Sequence, residues 1–175
     1  MKTSRRKFIH AAVAGSILTS AASAGSTVPG QNDRYAVLDK IIAGKVLKGH
    51  LWTSPVTIEK LELLRYKGNF LCRVRSKEGA VGISVSNNDQ MKSLYPVFLN
   101  RLQPFFIGKD ARNIESLLDE VYVYRSNYKM QNLALWVPLA TIEFAILDLL
   151  GQLAKKSIGE LIGNIANRHI AVYKA

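Results

Sequence analysis

Apolar positions recur along this chain with two different periods, and the change of period divides it. From Val56 the period is two. Val56, Ile58, Leu61, Leu63 and Leu64 form a first strand; Phe70, Cys72 and Val74 alternate with Leu71, Arg73 and Arg75 in a second; Ala80 to Ser86 forms a third. Lys67-Gly68-Asn69 and Lys77-Glu78-Gly79 have the composition of tight turns, so the pattern predicts a three-stranded antiparallel meander. Its alternation implies one buried face and one wet face.

Beyond Asn88 the spacing lengthens to three and four. Met91, Leu94, Tyr95, Phe98, Leu99 and Leu102 share one side of a helix that Asn88 or Asp89 can cap and that runs to about Leu102. Gln103 to Lys109 reads as a loop. Asp110 caps a second helix whose apolar face is Ile114, Leu117, Leu118, Val121 and Tyr122. The longest apolar pattern lies between Pro138 and Gly163. Leu139, Ile142, Ile146, Leu149, Leu150 and Leu153 make one stripe, while Thr141, Ala145, Asp148 and Gln152 make a second that is small and polar. A helix with two such faces has neighbours on both sides. Pro138 fits its first turn, Lys155 and Lys156 suit its carbonyl end, and Ile158 to Ile162 forms a further short turn closing on Gly163 as a left-handed cap. His169 to Ala175 reads as the start of a buried strand. Upstream of the meander, Asp33 to Leu51 is weakly helical and Gly25 to Asn32 is a polar linker.

The 175 residues suffice for one domain of ordinary size, and 48% hydrophobic against 21% charged residues excludes a disordered chain. A single cysteine excludes an internal disulfide framework, and Cys72 sits in an apolar run, as a buried inert thiol would. The net charge of +11 invites a nucleic-acid reading. However, Lys2, Arg5, Arg6 and Lys7 stand together at the amino terminus, and the remaining excess is scattered, with no dense basic helix and no basic-aromatic strand signature. No nucleic-acid partner is expected.

Residues 1–24 run from a basic start through an apolar stretch, Ala11 to Leu18, to Ala22-Ser23-Ala24. That order is the order of an export signal, and the apolar stretch is too short for a stable span. Ser4-Arg5-Arg6-Lys7-Phe8-Ile9 resembles the twin-arginine motif, a receptor-read address carried by Arg5 and Arg6. The expected partner is the twin-arginine export machinery, the expected location the periplasm, and the expected cleavage follows Ala24.

From Val56 to Ala175 the order of parts resembles the amino-terminal capping domain of the mandelate racemase and muconate lactonizing enzymes, within the enolase superfamily. The residues that carry it are Gly79-Ala80-Val81-Gly82, the loop Ile107-Gly108-Lys109-Asp110, and Ile142-Glu143-x-Ala145-x-x-Asp148-Leu149-x-Gly151. Ala154-Lys155-Lys156-Ser157-Ile158-x-Glu160-Leu161-Ile162-Gly163 and Val172-Tyr173 follow in register. The resemblance implies an α+β fold: a meander followed by a helical bundle, ending in the first strand of a truncated (β/α) barrel. The expected domains are a signal at 1–24, a linker or extension at 25–54, a cap at 55–164 and the barrel start at 165–175.

The resemblance further implies a magnesium-dependent enzyme that abstracts the proton next to a carboxylate, by racemisation, dehydration or cycloisomerisation. Its Mg2+ ligands and its lysine or histidine base belong to barrel strands. The chain is therefore expected to be inactive alone, with no catalytic, cofactor or metal residue of its own. Its expected partners are the missing barrel, a small carboxylate substrate in the complete enzyme, and further copies in a homo-oligomer. Lys67, Gly68, Asn69 and Lys174 are the residues it places near the substrate mouth. Ser84-Val85 stands where the family commonly shows Gly-Glu, and the connection from Tyr66 to Phe70 is short where the family often has a long lid, which leaves the mouth more open. Glu143 and Asp148 lie five apart, about 140° around a helix, and do not converge on one ion. Structural roles are expected for both, and His169 reads as a solvated or packed histidine. The competing function class is a stand-alone exported binding or assembly module that reuses the cap fold.

Overall fold

The computed structural model describes residues 31–125, 130, 132–167 and 169–172, which divide into two units, Met1–Ala43 and Gly44–Ala175. Within the first unit the described element is helix α1 (Gln31–Ala43), whose Tyr35, Leu38 and Ile41 are exposed.

The second unit is built on a sheet in the order β1-β2-β3, comprising β1 (Ile58–Tyr66), β2 (Asn69–Ser76) and β3 (Val81–Val85), both pairs antiparallel. The three-residue step from Ile58 to Leu61 breaks the period of two, and a bulge between Ile58 and Lys60 absorbs the extra residue, so that both side chains are buried. Leu61 pairs with Val74, Leu63 with Cys72 and Cys72 with Ser84 on the inner face. Glu62, Arg73 and Ile83 stand in one cross-strand row on the outer face. That face is less wet than the alternation implies: Ile83, Val85 and Tyr66 are all exposed on it.

Asn87 opens α2 (Asn88–Val97) by accepting the Gln90 N–H, one residue earlier than the expected caps. The helix does not stop at Leu102. It passes through a π-helical turn at Phe98–Leu102 into α3 (Gln103–Phe106), because Pro104 sits at the start of a helical segment, where its missing N–H is tolerated. Met91, Phe98, Leu102 and Phe106 are fully buried, while Tyr95 and Leu99 lie on the outside. Asp110 caps a short 3-10 turn, Ala111–Asn113, which leads into α4 (Ile114–Val123).

Helix α5 (Leu133–Ala154) is the spine. It begins five residues before Pro138, which is therefore inside the helix and not in its first turn. By length and composition α5 could cross a bilayer, but more than half of its apolar window is buried in protein, the pattern of a core helix. Leu139, Ile142, Ile146, Leu149 and Leu150 are buried as the stripe predicts; Leu153 is exposed. The residue that ends α5 is the left-handed Lys155 (φ 54°), whereas Gly163, expected as the left-handed cap of the short turn after it, is not left-handed. Gly163 follows α6 (Ile158–Ile162) in extended conformation, and α6 starts with a reciprocal Ser157–Glu160 capping box. Residues 169–172, where the start of a strand is expected, have no regular structure and are exposed; no strand edge among the described residues offers them a ladder. Tyr173, Lys174 and Ala175 lie outside the described residues.

Candidate functional site

The hairpin tip expected at the mouth is a two-residue loop, Lys67-Gly68, with both φ values positive (47° and 82°), as a hairpin turn that matches strand twist requires. Asn69, expected within the connection, is instead the first residue of β2, paired with Tyr66. The tip is tied down. The Asn88 side chain accepts the Phe70 N–H at 2.6 Å and donates to the Asn69 side chain at 2.7 Å, so the start of α2 holds the turn. Lys67 lies over the Tyr66 ring at 5.3 Å and Arg65 over Phe70 at 5.5 Å. This is a short anchored projection with two exposed cations, Lys67 at its tip and Arg65 behind it. Lys174, Arg5 and Arg6 lie outside the described residues.

On α5 the small polar side faces β3. Gly82 lies so close to the helix that a Cβ there would overlap the Ala145 carbonyl oxygen and the Leu149 nitrogen. One turn along, the Asp148 carboxylate accepts the Ile83 N–H at 2.8 Å, satisfying the outer edge of β3. Ser84 donates to the Thr141 carbonyl, and Thr141 donates to Val137 O and contacts the Ser86 hydroxyl, all inside the packed layer. Sequence reasoning placed Thr141, Ala145 and Asp148 on one face but did not name Gly82, Ser84 or Ser86 as what they meet. The available signal was the repetition of small residues on both elements.

Glu143 points elsewhere. It is partly buried, forms no ion pair or hydrogen bond with any described residue, and burial raises its carboxyl above the ordinary range. With Asp148 committed to a main-chain N–H, the two carboxylates do not form a pair. No group of three or more His, Cys, Asp or Glu side chains among the described residues could hold an ion. Burial pushes the Cys72 thiol up to about 12, against a lowering hydrogen bond with Ser84, so it is protonated and unreactive. His169 is exposed, and its main-chain N–H donates to the Asn167 side-chain oxygen at 2.9 Å.

The remaining charges bind the scaffold to itself. Arg73 forks onto Glu62 (2.9 and 3.2 Å) across the outer face, holding that carboxyl below its usual range. At Asp110 burial opposes ionisation, but hydrogen bonds from the Arg112 side chain and from the Arg112 and Val56 N–H groups outweigh it, and the carboxyl is lowered. Asp110 also bridges to Thr57, so one aspartate joins the loop, the sheet edge and the helix start. The arrangement can present a rigid tip and a rigid helix.

Residues 55–163 match the mandelate racemase / muconate lactonizing enzyme N-terminal domain. A mandelate racemase/muconate lactonizing protein from Paracoccus denitrificans, solved complexed with magnesium, superposes with a TM-score of 0.55 over 64% of this chain at 24% identity. A muconate cycloisomerase from Azorhizobium caulinodans gives 0.51 over 62% at 19% identity. At these identities the likeness is one of fold, and the chain spans 31% of the length of each. No curated protein matches it.

Proposed function

Because this chain belongs to the mandelate racemase / muconate lactonizing enzyme N-terminal domain family through residues 55–163, we propose that it supplies the capping part of an exported two-part enzyme. The reaction class is abstraction of the proton next to a carboxylate, on a small carboxylate substrate, by groups of a (β/α) barrel. In this reading the enzyme's ion is held by the barrel as well; the Paracoccus denitrificans neighbour was solved complexed with magnesium. Asp148, Glu62 and Asp110 are spent on the Ile83 N–H, Arg73 and Arg112, and no group of three or more His, Cys, Asp or Glu among the described residues fits a magnesium site. The observation that carries the reading is the family match over the meander, the anchored tip and α5 together.

Within that enzyme the chain's task is positional. The Lys67-Gly68 tip overhangs the barrel mouth as a fixed cation, and a connection this short leaves room above the substrate. Export through Arg5 and Arg6, an oligomer of the complete enzyme and inactivity of the cap by itself belong to the same proposal.

The test is proton exchange in deuterated water. The purified 175-residue chain, supplied with Mg2+ and a panel of carboxylates bearing an α-proton, is expected to show no exchange, and the DNA downstream of its reading frame to encode a barrel. Magnesium-dependent exchange by the chain alone would sink the reading. The continuous buried core favours a second reading, a stand-alone exported module, since Ile58, Leu61, Phe98, Ile142 and Leu161 are buried within the domain itself, although Ile83, Val85 and Phe144 stay exposed. A stop codon followed by unrelated DNA, with a monodisperse chain, would select it.

A further inference from the structure

Residues 46–52 lie upstream of the family match and inside the stretch 25–54 expected as a linker or extension, yet they are bound to the domain along their length. One oxygen of Glu115, in the first turn of α4, accepts the N–H groups of Val46 (2.8 Å) and Leu47 (2.6 Å). Leu47 is buried, and the Lys48 N–H donates to the Leu161 carbonyl at 2.9 Å. The Lys48 ammonium reaches the Gly163 carbonyl at 2.7 Å and lies 3.5 Å from the Asn164 side chain. After a 3-10 turn at Gly49–Leu51, Trp52 is buried with its indole N–H on the Leu150 carbonyl at 3.2 Å, and Arg112 donates to the Trp52 carbonyl at 3.2 Å.

The acceptors share one location. Leu161 and Gly163 end α6, where carbonyls have no partner within the helix, and a helix of five residues has little stability of its own. The strap supplies those partners from the other end of the domain. Its own N–H groups are in turn held by Glu115, which has no other assigned task. We propose that residues 46–52 are a clasp that fixes the exit of the domain, Leu161–Asn164, to its entrance, with Lys48 as the positioning residue. The clasp stands on these contacts alone; that what it orients is a barrel rests on the reading given above.

Hydrogen–deuterium exchange of the full chain tests it. In the unmodified protein the amides of Val46, Leu47 and Lys48 are expected to be protected along with the core, and Lys48→Met to speed exchange at Leu161 and Gly163 by about tenfold while β2 amides keep their rates. Glu115→Ala is expected to release Val46 and Leu47. Free-peptide exchange at residues 46–48 of the unmodified chain, or unchanged exchange at Leu161 and Gly163 in Lys48→Met, overturns the clasp. The measurement requires no catalytic partner. Fast exchange at 46–48 would therefore leave the capping-domain reading intact, and proton exchange by the chain alone would leave the clasp intact.

Discussion

Glu143 and Asp148 show how much a residue's neighbours decide. Helical spacing established that they diverge, and they do, but it could not say which was committed. Asp148 has the Ile83 N–H on one oxygen and the Gln152 amide 3.5 Å from the other; its strand partner comes from 65 positions away, beyond the reach of any local pattern. Glu143 has no cationic partner among the described residues, and burial raises its carboxyl from 4.5. The sign follows by linkage. A carboxyl raised in the folded state contributes stability below its unfolded value that is lost as pH rises through the folded one. Glu143→Gln is therefore expected to melt with the parent at about pH 3.5 and above it at neutral pH, the difference opening above about pH 4.5. Thermal melts at the two pH values decide it. A variant that melts lower at neutral pH would mean the carboxylate has a cationic partner.

At the scale of elements, the meander was legible because its signals are local: alternation at Phe70–Arg75, a Gly at the turn, and polar residues between runs. Helix limits were less so. Pro138 and Pro104 look like starts or breaks, yet α5 extends five residues upstream of one and α3 contains the other, since packing of Leu135, Phe105 and Phe106 outweighs a single missing hydrogen bond. Composition points to Gly163 as a left-handed cap of the short helix, yet Gly163 is extended and a left-handed residue stands instead at Lys155, where α5 ends and the chain turns into α6. Gly82 was quoted as part of a turn motif, but its φ is unexceptional and its role is close approach: β3 rests on the α5 main chain. Gly82→Ala should lower stability by roughly 3 kcal/mol, about 10 °C in Tm, because main-chain atoms of a helix must move. Gly159→Ala, where a Cβ meets nothing, should stay within about 1 kcal/mol of the parent. Equal melts for the two variants would show that β3 does not lie where α5 requires a glycine.

For the whole molecule, the net charge of +11 divides along the chain. Four of its cations, Lys2, Arg5, Arg6 and Lys7, precede any acidic residue, and we read them as an address, not as a surface for an acidic partner. The second unit closes its own core, from Leu47 to Leu161, with ion pairs satisfied at Asp110 and Glu62. Such a domain can fold before export, and the twin-arginine route is the one expected for folded cargo. An ordinary secretory signal reads positive charge and apolarity, so exchanging Arg5 and Arg6 for lysine would leave it working; a receptor that recognises the pair would fail. Arg5→Lys/Arg6→Lys is therefore expected to hold the chain in the cytoplasm with residues 1–24 uncleaved, as fractionation and the mass of the product would report. Undiminished export of the double variant would remove the twin-arginine address and leave the family match of residues 55–163 untouched.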